Sequence, residues 1–184
     1  MNLISLSNKT LITLSFLIAI LPISLLTGSF IINLITITIT IIFILELLIK
    51  KKINFLHDWS FYLLIFLWVS FLINVIFSQD SSLSIFRAVG FIRFIFLAQV
   101  IRYLFLTSNT KYKELILKSW LLIFLVVNID LLIEYFSGKN MLGYKSNLDG
   151  RLASFLNDEL KIGGYYFGFC LLSLATIYSY FKKD

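Results

Sequence analysis

Cysteine, proline and histidine each occur once in this chain of 184 residues, and that scarcity narrows the chemistry first. A lone Cys170 inside an apolar run excludes a disulfide framework and a cysteine-based metal site. The one histidine, His57, stands next to Asp58 in a short lysine-flanked loop, where a solvated interface residue is the simpler reading than a catalytic base. Charge is scarce too: 14% of residues are charged and 59% are hydrophobic, too apolar a balance for a soluble domain to cover. The formal charge of +6 has the sign of a nucleic-acid binder. No basic stripe interleaved with exposed aromatics accompanies it, so nucleic acid is not an expected partner. No metal-ligand or cofactor motif is expected either.

What is abundant is long apolar runs, and the first partner is therefore the lipid bilayer. A membrane-crossing helix needs roughly 20 mostly apolar residues. The runs predict spans at about 11–27, 30–49, 59–77, 83–106, 119–136 and 163–180, with a polar loop at 137–162. The first is read as a retained helix rather than a signal peptide, with Pro22 kinking its outer end. The alternation Ile35-Thr36-Ile37-Thr38-Ile39-Thr40-Ile41 would suit a strand in water. A lone strand in lipid leaves its backbone unpaired, so a helix is expected, with threonine hydroxyls bonding back one turn. Ser81 or Ser82 is expected to cap the fourth span, Asn74 to pack helices, and Glu46 to pair with the lysines at 50–52.

Lysine placement sets the orientation. One set of segments holds Lys9, Lys50, Lys51, Lys52, Lys111, Lys113, Lys118, Lys182 and Lys183; the other holds Lys139, Lys145, Arg151 and Lys161. Positive residues favour the cytoplasmic side. The expected fold is therefore an all-α, polytopic membrane helix bundle of about six spans, with both termini cytoplasmic and 137–162 outside.

Charges inside the spans then stand out. A charge at mid-bilayer costs about 2.5 to 3.5 kcal/mol on insertion scales, so it implies a partner or a cavity. Arg102 can snorkel to the inner surface, and Arg87 sits near the outer one. Arg93 lies about 9 Å deeper than Arg87 at 1.5 Å per residue. It reads either as half of a salt bridge or as a seat for an anionic substrate. Asp130 and Glu134, four apart, share a helix face. They read either as an acid/base or cation pair, or as the neutralising partners of Arg93 or Arg87. Arg151 is either a substrate contact or the partner of Asp149, Asp158 or Glu159.

One stretch carries a family resemblance. Glu134-Tyr135-Phe136-Ser137-Gly138-Lys139-Asn140-Met141-Leu142-Gly143 is similar to the aromatic-x-G-x-N-x-x-G loop entry of the O-antigen ligase and polymerase superfamily. Gly150-Arg151-Leu152-Ala153-Ser154-Phe155 resembles its G-R-L-x-G/S-x-F signature, and Asn157-Asp158-Glu159 falls at its D-P-N-like helix start. The resemblance is best from about Asn128 to Tyr166 and corresponds to the family's N-terminal portion, so residues 1–184 read as one transmembrane domain of a larger fold.

The resemblance implies an inverting, metal-independent glycosyltransferase of the bacterial inner membrane, with its site on the periplasmic face. Its donor would be a polyprenyl-diphosphate-linked glycan, and its acceptor lipid A-core or a growing glycan. Arg151, Arg93 and Arg87 would bind the diphosphate. The family's catalytic histidine lies in a later loop with no counterpart here, so the catalytic residue is unassigned and a complementary C-terminal half is an implied partner. The alternative is a noncatalytic polytopic membrane protein or a small transporter component built on Asp130 and Glu134.

Overall fold

The computed structural model describes residues 6–51, 58–107, 110–145, 151–156 and 162–181. The described residues are helical without a strand: α1 Asn8–Ala19, α2 Leu21–Thr27, α3 Ser29–Ile49, α4 Trp59–Ile76, α5 Ser81–Gly90, α6 Ile92–Thr107, α7 Thr110–Ser137 and α8 Ile162–Phe181. A 3-10 turn, Ser154–Leu156, lies between α7 and α8. The isoleucine–threonine alternation is helical, as its backbone chemistry requires in lipid. Thr38 Oγ1 donates to Leu34 O at 2.8 Å and Thr40 Oγ1 to Thr36 O at 2.9 Å.

Among the described residues, four helical stretches are long and apolar enough to cross a membrane: α3, α4, α5 with α6 as Ser81–Leu106, and α7. The pair α1 and α2, bent by 43°, makes a fifth if counted as one span. The all-helical fold expected of a membrane bundle is thus present, with four or five spans qualifying among the described residues. Helix α8 runs for 20 residues, Ile162–Phe181, at the place of the sixth expected span. Two boundaries differ from expectation. Helix α7 begins at Thr110 rather than near 119, because Glu114 and Lys118 (Nζ to Oε2, 3.2 Å) stitch its polar first turns. The cap of α5 is Asp80, not a serine: its Oδ1 accepts from Leu83 N at 3.2 Å and from Ser82 Oγ at 2.9 Å. A carboxylate suits the positive end of the helix dipole better than a hydroxyl.

One expected span is bent and another is loosened at a single residue, and an indole donates to a carbonyl at each place. Pro22 has no N–H to offer Ile18 O, so that carbonyl is left free inside the bend. Trp120 Nε1 fills the vacancy at 2.8 Å. The fourth span loosens at Phe91, whose N–H reaches both Arg87 O and Ala88 O at 3.1 and 3.2 Å. Trp68 Nε1 donates to the same Ala88 O at 2.8 Å. In lipid no water could satisfy Ile18 O, so a side-chain donor must; Ala88 O, already bonded to Phe91 N, takes the Trp68 indole as a second donor.

The chain divides into two compact units. Unit 1, Met1–Leu14 with Leu34–Asn109, buries Leu14, Ile39, Phe43, Leu47, Ile95, Val100, Tyr103 and Leu104. One end of it is polar and tied together. Glu46 receives Ser7 N at 2.8 Å and Thr10 Oγ1 at 3.1 Å and pairs with Lys50 at 3.1 Å. Arg102 forms an ion pair with Asp58, and Tyr103 Oη accepts from Leu6 N at 3.1 Å. Unit 2, Ser15–Asn33 with Thr110–Asp184, packs Phe124, Val127 and Tyr165 with Leu26, Leu131, Phe155, Ile162, Phe169 and Cys170. The cluster brings α2, α7, the 3-10 turn and α8 together, and that packing carries the loop described next.

Candidate functional site: a carboxylate-clamped loop

Asp130 and Glu134 project from one face of the end of α7, and both are buried, at 0% and 4% exposure. A bare carboxylate so placed is costly, and here each is fully engaged with the chain that follows it. Asp130 Oδ1 accepts from Met141 N at 2.7 Å, and its Oδ2 accepts from Ser154 Oγ at 2.6 Å. Glu134 Oε2 accepts from Ser154 N at 2.7 Å, and both of its oxygens receive Ala153 N at 3.1 Å. Hydrogen bonds to ionised acceptors are the short, strong kind.

Between the two clamped points the backbone turns sharply. Gly138 and Gly143 sit at φ +73° and +83°, in the left-handed region that favours glycine. Asn140, 5% exposed, closes the turn: its Oδ1 accepts from Tyr144 N at 2.8 Å and from Leu142 N at 3.1 Å. Its Nδ2 donates to Ser154 O at 2.8 Å, which ties the first loop stretch to the second. Ser154 is the hub. Its N–H, hydroxyl and carbonyl are all occupied, and these three bonds hold it at φ +51°. A non-glycine residue there carries strain that surrounding contacts must hold.

The spacing aromatic-x-G-x-N-x-x-G therefore has a mechanical meaning in this chain: two left-handed glycines around an asparagine that bonds both loop strands. Sequence reasoning singled out Asp130, Glu134 and Arg151 but gave Asn140 and Ser154 no role. The signal was available in the G-x-N-x-x-G spacing for Asn140; for Ser154 no local pattern announced it.

The other expected residues are placed as follows. Arg151 lies three residues before Ser154, on the clamped strand, with its side chain exposed. Arg87, on α5, is exposed, and Arg93, on α6, is half-buried; both belong to unit 1. The Arg93 guanidinium carbon stands 4.9 Å from the centroid of the Phe94 ring, and its Nε is buried without a hydrogen-bond partner. None of these three arginines joins the ion pairs found among the described residues. Asp158 and Glu159, with Asp149, Gly150 and His57, lie outside the described residues.

No family model, no curated protein and no solved structure matches this chain. Chemical reading of the site therefore rests on the residues themselves. Among the described residues, no three of histidine, cysteine, aspartate and glutamate gather as metal ligands would. What the arrangement does is hold a short loop against the end of α7, with Arg151 on it and outside every ion pair found among the described residues.

Proposed function

We propose that this chain works in bacterial envelope glycan assembly, in the manner of O-antigen ligases and polymerases, and that Arg151 binds the diphosphate of a polyprenyl-linked glycan donor. The observation that supports the reading is the clamp. Two buried carboxylates, an asparagine and two left-handed glycines immobilise a strand whose one cation, Arg151, is left unneutralised among the described residues. A loop serving only to join α7 to α8 needs no such fixation.

The chemistry suits the task. A departing diphosphate gathers negative charge in the transition state, and a guanidinium fork binds its oxygens in bidentate fashion. A preorganised cation does this without reorganising at the moment of reaction. The clamp also argues against the transporter reading. Asp130 and Glu134 already accept from Met141, Ala153 and Ser154, which commits their oxygens to the chain rather than to a bound cation. In this reading the acceptor is lipid A-core or a lengthening glycan, the site faces the periplasm, and a complementary C-terminal half supplies the catalytic base.

The test is Arg151→Ala, expressed with that half in cells lacking their own activity. Glycan attachment or extension should be abolished while membrane insertion is unchanged. Lys at the same position should restore only part of it, because it loses the fork. Undiminished glycan display in the Ala variant overturns the reading.

A further inference from the structure

A second polar feature lies at the other end of unit 1 from Glu46, Asp58 and Arg102, where α4 turns into α5. The two helices form a hairpin whose facing sides enclose a groove of about 440 Å³. Each side of it carries a stripe at helical spacing: Phe71 and Asn74 of α4 with Ser78 two residues past its end, and Ser84 and Arg87 of α5 with Phe91 just past its end. Both stripes run in the same order, from hydroxyl at the turn, through an amide or guanidinium, to an aromatic ring about 10 Å further along at 1.5 Å per residue. The groove therefore changes from polar to apolar along its length, as a bilayer does between headgroup and chain.

The walls are fixed in place. Ser78 Oγ and Ser84 Oγ are 2.6 Å apart at the mouth, and Phe71 meets Phe91 edge-on at 4.9 Å at the floor. The Trp68 indole bonded to Ala88 O holds α4 and α5 together between them. The serine pair shares one hydroxyl hydrogen and retains a second to donate outward. Arg87 is exposed and outside every ion pair found among the described residues; Asp80, the cap of the same helix, attracts it through space but directs its Oδ1 to Leu83 N and Ser82 Oγ.

We infer that this groove seats one anionic phospholipid of the surrounding bilayer, its phosphate on Arg87 with Asn74 and the serine pair, and its chain along Phe71 and Phe91. Charge complementarity and the polar-to-apolar order select an amphiphile with a phosphate over a neutral lipid. The groove belongs to unit 1 and the Arg151 loop to unit 2, and the inference does not depend on the glycan-transfer reading.

The full chain, purified in mild detergent and exchanged into mixed phosphatidylglycerol and phosphatidylcholine, would be examined by native mass spectrometry for retained lipid. One phosphatidylglycerol should be kept in preference to phosphatidylcholine, and diacylglycerol should not replace it. Arg87→Gln should lower retention about tenfold, as expected for loss of a charge-assisted phosphate contact, and Arg87→Lys should recover part of it. Asn74→Leu, a milder change, should weaken retention less, and Arg151→Gln should leave it unchanged. Equal retention in wild type and Arg87→Gln overturns the proposal. So does displacement of the lipid by millimolar inorganic phosphate, which would mean that the chain contributes nothing.

Discussion

Glu134→Ala removes the acceptor of two backbone N–H groups at once. Both belong to buried residues, Ala153 at 6% and Ser154 at 1% exposure, so neither is readily rescued by water. Leaving a buried donor unsatisfied costs about 1–3 kcal/mol, which makes roughly 2–6 kcal/mol for the pair if the strand stays in place. The strand will not stay in place when opening costs less than that. The expected result is local release of 151–156 from α7 rather than global unfolding, since the core of Phe124, Val127 and Tyr165 does not include Glu134. Glu134→Gln is the informative companion: it keeps the shape and one acceptor oxygen but loses the charge, and should cost about 1–2 kcal/mol. Hydrogen exchange followed by mass spectrometry, with the protein in nanodiscs, reads the outcome directly. At about 1.4 kcal/mol per tenfold, peptides covering 151–156 should exchange on the order of tenfold faster in the Gln variant and a hundredfold or more in the Ala variant. Peptides within α4 should not change. If 151–156 exchanges at the wild-type rate in Glu134→Ala, the clamp does not hold the loop and the rigidity argued for Arg151 fails with it.

Trp120→Phe should destabilise unit 2 by about 1–3 kcal/mol by orphaning Ile18 O. The loss should shrink when Pro22→Ala restores a backbone donor to that carbonyl, a coupling that a double-mutant cycle of thermal stabilities would reveal. Asp80 is held below the usual carboxylate range, first by the Leu83 N–H and then by the Ser82 hydroxyl. A depressed folded-state value means that its contribution to the start of α5 is present above the unfolded value and lost as pH falls through the folded one. The stability gap between wild type and Asp80→Ala should therefore close on acidification, and a gap independent of pH would contradict the cap. The Arg151→Ala glycan assay and the Arg87→Gln lipid-retention assay stand beside these.

How much was legible along the chain varied with the range of the interaction. The preference for helix over strand at Ile35–Ile41 followed from local chemistry, because lipid offers an isolated strand no partners. The threonine back-bonds and the Glu46–Lys50 pair are one-turn contacts that spacing alone predicts. The loosening at Phe91 and the Trp68 bond to Ala88 O beside it were not legible, since Trp68 and Ala88 lie 20 apart in the chain and on different helices. Asp130 and Glu134 were recognisable as buried by their place in an apolar run. Their partners were not, because a carboxylate at that position could meet an arginine, a cation or a backbone amide with equal plausibility.

The sequence by itself determined that this is a helical membrane protein, since apolar run length and the obligation to satisfy every backbone group in lipid admit little else. It also marked which residues are out of place in lipid: the arginines of the fourth span and the two acids of α7. The tertiary structure alone decided what those acids do. Hydrogen bonds to Met141, Ala153 and Ser154 join positions 11 to 24 residues apart, and such closures depend on the path of the backbone, which no local pattern encodes.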